Sequence, residues 1–386
     1  MSRLCFVTTT RADWGLLKPL AVEMRRRGHT VLVAASNMHL SERFGYTASE
    51  IEADGFAIDA AVPLTEGDSP ADRAVAMGEC ALGMARAYVA LHPDAVIALG
   101  DRYEMLAAVA AAAVADIPVV HIAGGEISEG AQDDAFRHAI TKLSSLHLTA
   151  TEPYRRRVVQ LGEDPGTVVN TGAIGVANIM TADLMPAAEL AESIGMPVDG
   201  GDIAVVTYHP ATLDHGADHA GRTAALLEAL DRFPDLRLVI TYPNNDAGGA
   251  SAIPLLEAYA AARQGRVRCI PSLGARRYLS LLRHAAVVVG NSSSGIVEVP
   301  SAGIPTVDIG IRQRGRIAAD SVIHCGTSAD DIARAIAEAL SPDFRARAAA
   351  TVNPYSRPDT LELMADSVEA FLVRPRTPKK FHDLPC

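Results

Sequence analysis

Residues 95–126 read AVIALGDRYEMLAAVAAAAVADIPVVHIAGGE, and this stretch decides the fold class. Two short Val/Ile-rich runs, Ala95–Leu99 and Pro118–Ile122, are apolar rather than alternating, and an Ala-rich, helix-forming segment lies between them. Strands buried on both faces read this way, whereas half-exposed strands alternate apolar and polar residues. The stretch therefore predicts a strand, a helix and a second parallel strand of an α/β sheet.

The same pattern extends outward from this stretch and later restarts. In the first half, similar runs occur at Leu4–Val7, Thr30–Ala34 and Leu146–Thr149. The second series consists of Ile203–Tyr208, Leu236–Thr241, Val267–Ile270, Ala286–Gly290 and Pro305–Asp308, with helical segments such as Arg222–Arg232 and Asp330–Leu340 between them. Two βαβ series of about 170 residues each predict an α/β protein with two doubly wound, Rossmann-like domains that face a central cleft, where the strands end and ligands bind.

The domain boundaries are expected where the pattern breaks. Small residues in NTGAIGVAN, residues 170–178, interrupt it and indicate the hinge. We therefore expect an N-terminal domain of residues 1–172 and a C-terminal, nucleotide-binding domain of residues 173–356. We expect residues 357–386 to form a C-terminal helix and tail, because Pro358–Val373 has apolar residues at helical spacing.

The composition excludes several functional classes. Of 386 residues, 49% are hydrophobic and 21% charged, and the formal net charge is −11. This hydrophobic content can offset the entropy of ordering the chain, so we expect a globular protein and not a disordered one. The negative net charge argues against a protein that binds nucleic acid or a membrane surface, because both functions usually need a cationic face.

The cysteines and the N-terminus indicate a cytoplasmic location. Five cysteines are widely scattered and contain no C-x-x-C pair that would suggest zinc or a redox couple. The start of the chain, MSRLCFVTTTRADWG, has no signal-peptide core. No stretch reaches the roughly 18 consecutive apolar residues of a membrane span. We expect a cytoplasmic protein with reduced thiols.

Acidic residues follow two neighbouring predicted strands. Asp101, in GDRYE, comes directly after Ala95–Leu99 and is either a ligand-facing carboxylate or the N-cap of the next helix. The segment HIAGGEISEGAQDDAFRH, residues 121–138, carries four more acids, Glu126, Glu129, Asp133 and Asp134. Four acidic residues are more than a solvated loop needs, which favours a functional site. The simpler alternative for Asp133 is an ion pair with Arg137, four residues later on the same helical face.

A basic strand end is the first candidate for phosphate binding. TTTRADWGLLKPL, residues 8–20, places Arg11 at a strand-to-helix turn and Lys18 two helical turns later, so both cations can share one face. Such a turn suits a phosphate, whereas the alternative is a helix cap with two solvated basic residues. The turn lacks the glycines of a dinucleotide fingerprint, so we expect no redox cofactor.

The second domain offers a neutral cradle for a diphosphate. NSSSGIVE, residues 291–298, follows a predicted strand, and its hydroxyls and glycine open a helix whose amides and dipole suit phosphate oxygens. The candidate contacts are Ser292, Ser293, Ser294 and Gly295, with Glu298 placed to accept ribose hydroxyls. His209 follows another strand, and Arg312 lies in DIGIRQRGR, residues 308–316. An N-capped loop and a surface basic run are the alternatives.

A pair of histidines, His215 and His219, has helical spacing in HGADH. Their neighbours include two aspartates but no third ligand at matching spacing, so we expect no metal site.

Together these motifs resemble the UDP-N-acetylglucosamine 2-epimerase family, and specifically its hydrolysing branch, which supplies N-acetylmannosamine-type sugars for sialic-acid-like nonulosonates. The matching segments, in order, are TRADWGLLKPL, GDRYEMLAA, HIAGGEISEGAQDDAFRHAITKLSSLH, TYHP, NSSSGIVEVPSAGIP and VDIGIRQRGR. The resemblance implies the GT-B type of two-domain architecture, with the C-terminal helix returning to the first domain. It also implies a nucleotide-sugar substrate, a homodimer or homotetramer, and a reaction without cofactor or metal.

The resemblance also implies residue roles. Asp101 and Asp133 match acidic catalytic positions, Asp134 is the neighbouring candidate, and His209 resembles a histidine near the leaving group. Nucleotide-binding positions are matched by Arg11, Lys18, Ser293, Ser294 and Glu298. One departure is Ala123, because several relatives have a catalytic glutamate there in an HIEGGE motif. Glu126 or Asp133 then takes that role, or the acid/base set is rearranged for a different sugar.

Two other functions remain as alternatives to the epimerase. A glycosyltransferase shares the same architecture, and a non-catalytic nucleotide-sugar sensor would be compatible with Ala123. The sequence leaves open whether the donor nucleotide is UDP or GDP and which amino sugar it carries, because pocket-lining side chains decide both.

Overall fold

The computed structural model describes residues 1–42, 45–67, 69–211, 213, 218–243, 249–375 and 377–384, without the side chains at 11, 12, 181, 249 and 250. The chain divides into two compact units. Unit 1 comprises Met1–Glu126, Asp133–Ala177 and Arg357–Cys386, and unit 2 comprises Ile127–Gln132 and Asn178–Ser356. The chain therefore passes between the units four times.

Each unit is built on one parallel sheet. Sheet 1 contains seven strands, β1 (Arg3–Thr8), β2 (Thr30–Ser36), β3 (Ala60–Val62), β4 (Ala95–Leu99), β5 (Val119–Ile122), β6 (Leu146–Thr149) and β7 (Val168–Asn170). Sheet 2 contains six strands, β8 (Ile203–Thr207), β9 (Arg237–Thr241), β10 (Val267–Ile270), β11 (Val287–Gly290), β12 (Thr306–Ile309) and β13 (Val322–Cys325). Their spatial orders are 3-2-1-4-5-6-7 and 10-9-8-11-12-13.

Helices connect the parallel strands, as the fold class requires. In chain order they are α1 (Arg11–Arg26), α2 (Ala48–Ala53), α3 (Pro70–Leu91), α4 (Tyr103–Val114), α5 (Asp133–Leu143), α6 (Glu152–Gln160), α7 (Ile174–Thr181), α8 (Ala187–Ile194), α9 (His219–Asp231), α10 (Gly249–Ala261), α11 (Gly274–Leu282), α12 (Ser293–Val297), α13 (Ala329–Ala339), α14 (Pro342–Ala349) and α15 (Thr360–Leu372). The prediction of two doubly wound α/β domains is confirmed.

The strands are apolar because both faces of each sheet are covered. Along β1, Leu4 and Phe6 join one buried cluster while Cys5 and Val7 join another. This alternation follows from the two-residue repeat of a strand, which sends neighbouring side chains to opposite faces. A continuous apolar run is therefore what a doubly covered strand needs.

The unit borders differ from the expected boundaries in two places. The first border falls between Ala177 and Asn178, inside α7, and not at residue 172. The segment Ile127–Gln132, expected in the N-terminal domain, belongs to unit 2.

The C-terminal helix α15 belongs to unit 1. Met364, Ala365 and Val368 are fully buried in the cluster that also contains residues of α1 and β1. At the end of α1, Arg27 pairs with Asp366 at 2.6 Å and with Glu369 at 2.7 Å. These contacts hold α15 against α1.

Helix α3 stands out by length and composition. Among the described residues it is the one helix that is long and apolar enough to cross a membrane by those two criteria. In its most apolar 18-residue stretch, 28% is buried. The buried side, with Ala76, Cys80 and Met84, packs into the core of unit 1.

Candidate functional site

The strand orders locate one edge in each unit where a ligand is expected. The order reverses between β1 and β4 in sheet 1, and between β8 and β11 in sheet 2. In open parallel sheets, ligands bind outside the carboxyl ends of the strands at such a switch point. Asp101 follows β4, whereas His209 follows β8 and Asn291 follows β11.

A buried histidine shapes the turn that carries Asp101. His121, on β5, has no exposed surface, and burial lowers its pKa to about 3, so the imidazole is neutral. Its Nε2 donates a hydrogen bond to the carbonyl oxygen of Gly100 at 2.8 Å, while its Nδ1 lies 3.1 Å from the Thr141 hydroxyl. Gly100 has a φ of +83°, a conformation that glycine adopts readily. These contacts fix the backbone just before Asp101.

Arg137 gathers the acidic candidates of unit 1. Its side chain is only 1% exposed, and its guanidinium pairs with Asp101 and, at 3.2 Å, with Asp134. It also donates to the carbonyl oxygen of Glu126 at 3.1 Å. Asp134 precedes Arg137 by three residues on α5, whereas the ion pair with Asp133 considered from the sequence stays a prediction. A buried cation with several acceptors fixes their positions.

His138 lies beside this cluster and was not among the predicted site residues. Its Nε2 is 3.5 Å from the Asp134 carboxylate, and burial lowers its pKa. Within the described part of the chain, its buried Nδ1 has no hydrogen-bond partner. The four-residue spacing from Asp134 is the signal that could have identified it.

Asp133 and Glu126 flank the segment that belongs to unit 2. Glu126 is 5% exposed, and Asp133 is the first, half-buried residue of α5. Between them, Ile127–Gln132 packs on the arginine-rich loop after β12: the Glu129 amide donates to the Arg314 carbonyl at 3.1 Å. A Cβ added at Gly130 would lie 2.6 Å from the Ile311 carbonyl oxygen. This close approach is why the segment belongs to unit 2.

Ala123 occupies a left-handed conformation. Its φ is +67°, which costs an L-residue about 1–2 kcal/mol relative to the right-handed helical region. Its side chain packs against the buried cluster of α1, β1 and α15. A strained residue of this kind marks the turn after β5 as locally constrained.

The start of α1 differs from a simple phosphate cradle. Asp13 accepts hydrogen bonds from the amides of Thr9 (3.0 Å) and Thr10 (2.9 Å), so the helix caps itself with its own carboxylate. The Lys18 ammonium pairs with Asp54, which also accepts a hydrogen bond from the Trp14 indole at 2.9 Å. The side chain of Arg11 lies outside the described residues. Lys18 therefore already has a carboxylate partner.

At the carboxyl edge of sheet 2, Asn291 makes hydrogen bonds to several of the candidate residues. Its side-chain oxygen accepts from the amide of His209 at 2.7 Å, and its side-chain nitrogen donates to the His209 carbonyl at 2.8 Å. Its own carbonyl accepts from Arg312 at 3.2 Å and from Gln313 at 2.8 Å. Asn291 thus brings the predicted residues His209 and Arg312 together, the first through its side-chain amide and the second through its backbone carbonyl. The sequence did not reveal this role for Asn291 or Gln313.

A glycine permits this convergence. At Gly290 the φ is +144°, and an added Cβ would lie 1.8 Å from the carbonyl oxygen of Thr207 on the neighbouring strand. Only glycine fits there. The adjoining strand ends can therefore approach closely enough for Asn291 to reach His209.

The serine loop begins α12, as predicted. Ser293 is its first residue and exposed, Ser292 and Ser294 are half-buried, and Glu298 ends the helix. The hydroxyl of Ser294 lies 2.8 Å from that of Tyr278, whose pKa is raised by burial, so this phenol is neutral. At Gly295, an added Cβ would lie 2.8 Å from the Thr306 side chain, which explains the glycine.

No group of three or more His, Cys, Asp or Glu side chains suited to a metal occurs among the described residues. His215 lies outside that part of the chain, and His219 is the first residue of α9.

Comparisons with known proteins identify the family of this chain. The profile of the family described as UDP-N-acetylglucosamine 2-epimerase matches residues 22–369. A relative from Campylobacter jejuni, GDP/UDP-N,N'-diacetylbacillosamine 2-epimerase (hydrolyzing), is 34% identical over 345 residues, which cover 89% of this chain and 88% of the relative. Polysialic acid biosynthesis protein P7 of Escherichia coli is 32% identical over 388 residues, covering 100% of this chain and 98% of that one.

A solved structure gives the same fold. UDP-GlcNAc 2-epimerase from Neisseria meningitidis, bound to UDP-GlcNAc, has a TM-score of 0.78 and 17% sequence identity, covering 95% of this chain and 100% of that chain. The profile match and the two relatives extend over nearly the whole sequence, and the motifs at both sheet edges are those of the resemblance. The chain belongs to the UDP-N-acetylglucosamine 2-epimerase family.

Proposed function

We propose that this chain is a hydrolysing nucleotide-sugar 2-epimerase. The substrate is UDP-N-acetylglucosamine or a 2,4-diacetamido-trideoxy analogue on UDP or GDP, and the products are the free 2-epimer and the nucleoside diphosphate. The observation that carries the proposal is the buried Arg137, which holds Asp101, Asp134 and the Glu126 backbone at the switch point of sheet 1. Carboxylates fixed at a ligand edge are what proton transfer to and from a sugar carbon requires.

The reaction follows from the chemistry of the sugar. The hydrogen at C2 has no adjacent carbonyl to acidify it, so its removal must accompany departure of the diphosphate from C1. A carboxylate takes that proton, the C1–oxygen bond breaks with its electron pair going to the diphosphate, and a glycal forms. Water then supplies hydroxyl to C1, while a proton reaches C2 from the opposite face. The sum is substrate plus water giving epimer plus nucleoside diphosphate.

The acids of unit 1 serve as the proton donors and acceptors in this proposal. Asp133 and Asp101 are the first candidates, and Glu126 is the candidate for the role that the glutamate at position 123 has in several relatives. Asp134 is tied to Arg137 at 3.2 Å and to His138 at 3.5 Å, which suits a residue that positions its neighbours. His121 keeps Gly100 and hence Asp101 in place.

The edge of unit 2 binds the nucleoside diphosphate in this proposal. Backbone amides of the loop Ser292–Gly295 and the guanidinium of Arg312 supply donors and positive charge, and Glu298 accepts ribose hydroxyls. His209 assists at the leaving group. Arg11 and Lys18 are further diphosphate contacts; for Lys18 this requires release from Asp54.

The names of the relatives support a 2-acetamido sugar nucleotide. The Campylobacter jejuni relative is named for UDP- or GDP-linked diacetylbacillosamine, and the Escherichia coli relative for polysialic acid biosynthesis. We place the product as a precursor of a sialic- or legionaminic-acid-type sugar. The four described cysteines are free thiols, which supports a cytoplasmic location.

A donor screen in deuterated water tests the proposal. The protein is incubated without added metal with UDP-N-acetylglucosamine and with UDP- and GDP-linked 2,4-diacetamido sugars. Nucleoside diphosphate should be released, and the free sugar should carry deuterium at C2. Unlabelled product would exclude the elimination route, and consumption only with an added acceptor would identify a glycosyltransferase. Tight donor binding with no turnover of any donor would identify a sensor.

A further inference from the structure

The segment that follows α15, residues 377–384, lies against the end of α5. The Lys379 ammonium donates to the carbonyl oxygens of Lys142 and Ser144, both at 2.6 Å. Its third contact is the carboxylate of Glu163, at 2.7 Å. Because an ammonium has three donors, these acceptors satisfy all of them. A fully bonded cation therefore joins this segment to α5.

These bonds complete the C-terminal cap of α5. The last carbonyls of a helix have no partner within it and must be satisfied from outside. The Ser144 hydroxyl donates to the Ile140 carbonyl at 2.8 Å, and the Ser144 amide donates to the Thr141 carbonyl at 3.1 Å. The next carbonyl, that of Lys142, accepts from Lys379, 237 residues further along the chain. A cation at this end also interacts favourably with the helix dipole.

Glu163 anchors the Lys379 ammonium. Its side chain is 1% exposed, and it also pairs with Lys142 at 2.7 Å and with His147 at 2.9 Å. Burial alone would raise the pKa of Glu163, but hydrogen bonds from His147, Lys142 and Lys379 lower it to about 2, so the carboxylate is charged. A buried charge needs such partners, because leaving it unpaired away from water is costly. Lys379 thus binds a fixed, buried carboxylate.

Phe381 and His382 hold the same segment in place. The ring of Phe381 covers Gly162, where an added Cβ would overlap it, and the Lys142 ammonium lies 4.9 Å from the centre of that ring. The His382 amide donates to the Gly162 carbonyl at 2.9 Å. These contacts restrict the backbone on the C-terminal side of Lys379.

Helix α5 carries the candidate acids at its other end. Asp133 and Asp134 are its first two residues, and Arg137, which pairs with Asp101, lies near its middle. A helix of 11 residues is about 16 Å long. If its C-terminal end were loose, α5 could tilt about Arg137, and the carboxylates of the first turn would move. A displacement of about 1 Å can lower the rate of a catalysed step about 100-fold.

We propose that Lys379 is a positioning residue for the proposed reaction: by capping α5, it holds Asp133 and Asp134 where proton transfer takes place. The inference rests on the proposed function. Residues 377–384 lie outside the motifs that carry the family resemblance and outside residues 22–369, which the family profile matches. The role therefore belongs to a segment that neither the motifs nor the profile contains.

Three variants test the effect on catalysis. Lys379→Met removes the cation, Lys379→Arg keeps a cationic donor, and Lys380→Met, at the neighbouring exposed position, is the matched control. With the donor that the wild type consumes best, Lys379→Met should lower kcat about 10-fold and leave KM and UDP binding unchanged. Lys379→Arg should restore most of kcat, and Lys380→Met should match the wild type. An unchanged kcat in Lys379→Met would overturn the positioning role, and a higher KM at constant kcat would assign Lys379 to binding instead.

Hydrogen exchange separates positioning from a general loss of stability. Lys379→Met should speed exchange at the end of α5 about 10-fold, as expected for a lost charged hydrogen bond, while α13 in unit 2 keeps its protection. Faster exchange throughout unit 1, β1 included, with kcat lost only in proportion to the folded fraction, would show a structural role and overturn the proposal. If the wild type consumes no donor, the proposed function fails and the positioning role fails with it, whereas exchange in α5 still shows whether Lys379 caps the helix.

Discussion

In the proposed function, the carboxyl edges of the two sheets have different chemical tasks. At sheet 1 the central group is a buried guanidinium, Arg137, which holds Asp101 and Asp134. At sheet 2 it is a neutral residue, Asn291, whose side-chain amide bonds the backbone of His209 and whose backbone carbonyl accepts from Arg312. Proton transfer requires fixed carboxylates, and these need a buried counter-charge. Binding an anion requires donors with no competing carboxylate, and a neutral amide can organise them.

Replacing Asp133 should have the largest effect on catalysis. Asp133→Asn keeps the size of the side chain but removes its basicity, so we expect kcat to fall about 10²–10⁴-fold, the usual contribution of a general acid or base. Binding of UDP, assigned to unit 2, should change little. Turnover and UDP titration measure the two effects separately.

The matched control is Asp343→Asn, in the first turn of α14, where the aspartate is exposed. It should leave both measurements unchanged. A fully active Asp133→Asn would move the catalytic role to Glu126 or Asp101 and weaken the assignment of acid/base chemistry to Asp133.

Replacing Arg137 should cost the most stability. Arg137→Met leaves Asp101 and Asp134 without their buried counter-charge, and breaking a buried pair in this way costs about 3–5 kcal/mol. Arg314→Met removes an exposed arginine that pairs with Glu129 in unit 2, and should cost at most about 1 kcal/mol. Urea unfolding of both variants compares the costs. Equal costs would show that Arg137 does not organise its edge as the structure implies.

Acid should weaken unit 1 before unit 2. Burial lowers the pKa of His121 to about 3 and also lowers the pKa of His147, so these histidines stay neutral in the folded protein. Unfolding lets them bind protons, and unit 1 therefore loses stability as pH falls below about 6.5, by up to about 1.4 kcal/mol per pH unit for each group. For His121 this loss continues towards pH 3. Above pH 6.5 this loss is absent.

His324 in unit 2 has the opposite sign. A hydrogen bond to Asp308 at 2.8 Å raises its pKa, so its contribution is complete below the unfolded value and is lost as pH rises through the folded one. Hydrogen exchange of β5 and β12 at several pH values should show β5 losing protection first in acid. His121→Asn should flatten the response of β5 alone, and an unchanged response would assign the acid sensitivity elsewhere.

The comparison also separates what the sequence could predict from what it could not. Most strands were predicted because burial on two faces leaves a direct signal in an apolar run. Three strands were not predicted: β3 and β7 have only three residues each, and the exposed His324 interrupts the apolar run of β13. Short edge strands carry little of that signal.

The site residues divide in the same way. Asp101, His209 and the serine loop follow predicted strands, so their place at a sheet edge could be predicted from chain order alone. Arg137 meets Asp101 across 36 residues, and Asn291 meets His209 across 82, and such pairs depend on strand order. The packing of Ile127–Gln132 on unit 2 depends on Gly130 fitting against Ile311, which no local pattern reveals.

The smallest expected effect concerns Asn291, at the carboxyl edge of sheet 2. Asn291→Ala removes the side-chain amide that bonds the buried backbone amide and carbonyl of His209, which should cost about 1–3 kcal/mol of stability. The backbone carbonyl that accepts from Arg312 remains, but His209 is no longer held to it by the side chain, so the affinity for UDP should also fall, by at least about 10-fold.

A second buried asparagine separates these two effects. Asn353 is 6% exposed and donates to the Val297 carbonyl at 2.7 Å and to Ser301 at 2.6 Å, in the same unit but at the end of α12 opposite the serine loop. Asn353→Ala should cost similar stability and leave UDP affinity unchanged by calorimetry. If both variants lost affinity equally, stability and not the edge would govern binding. If neither variant lost affinity, the diphosphate would not bind at sheet 2. The assignment of proton transfer to sheet 1 and diphosphate binding to sheet 2 would then be wrong, because proton transfer at sheet 1 requires the leaving group to be held elsewhere.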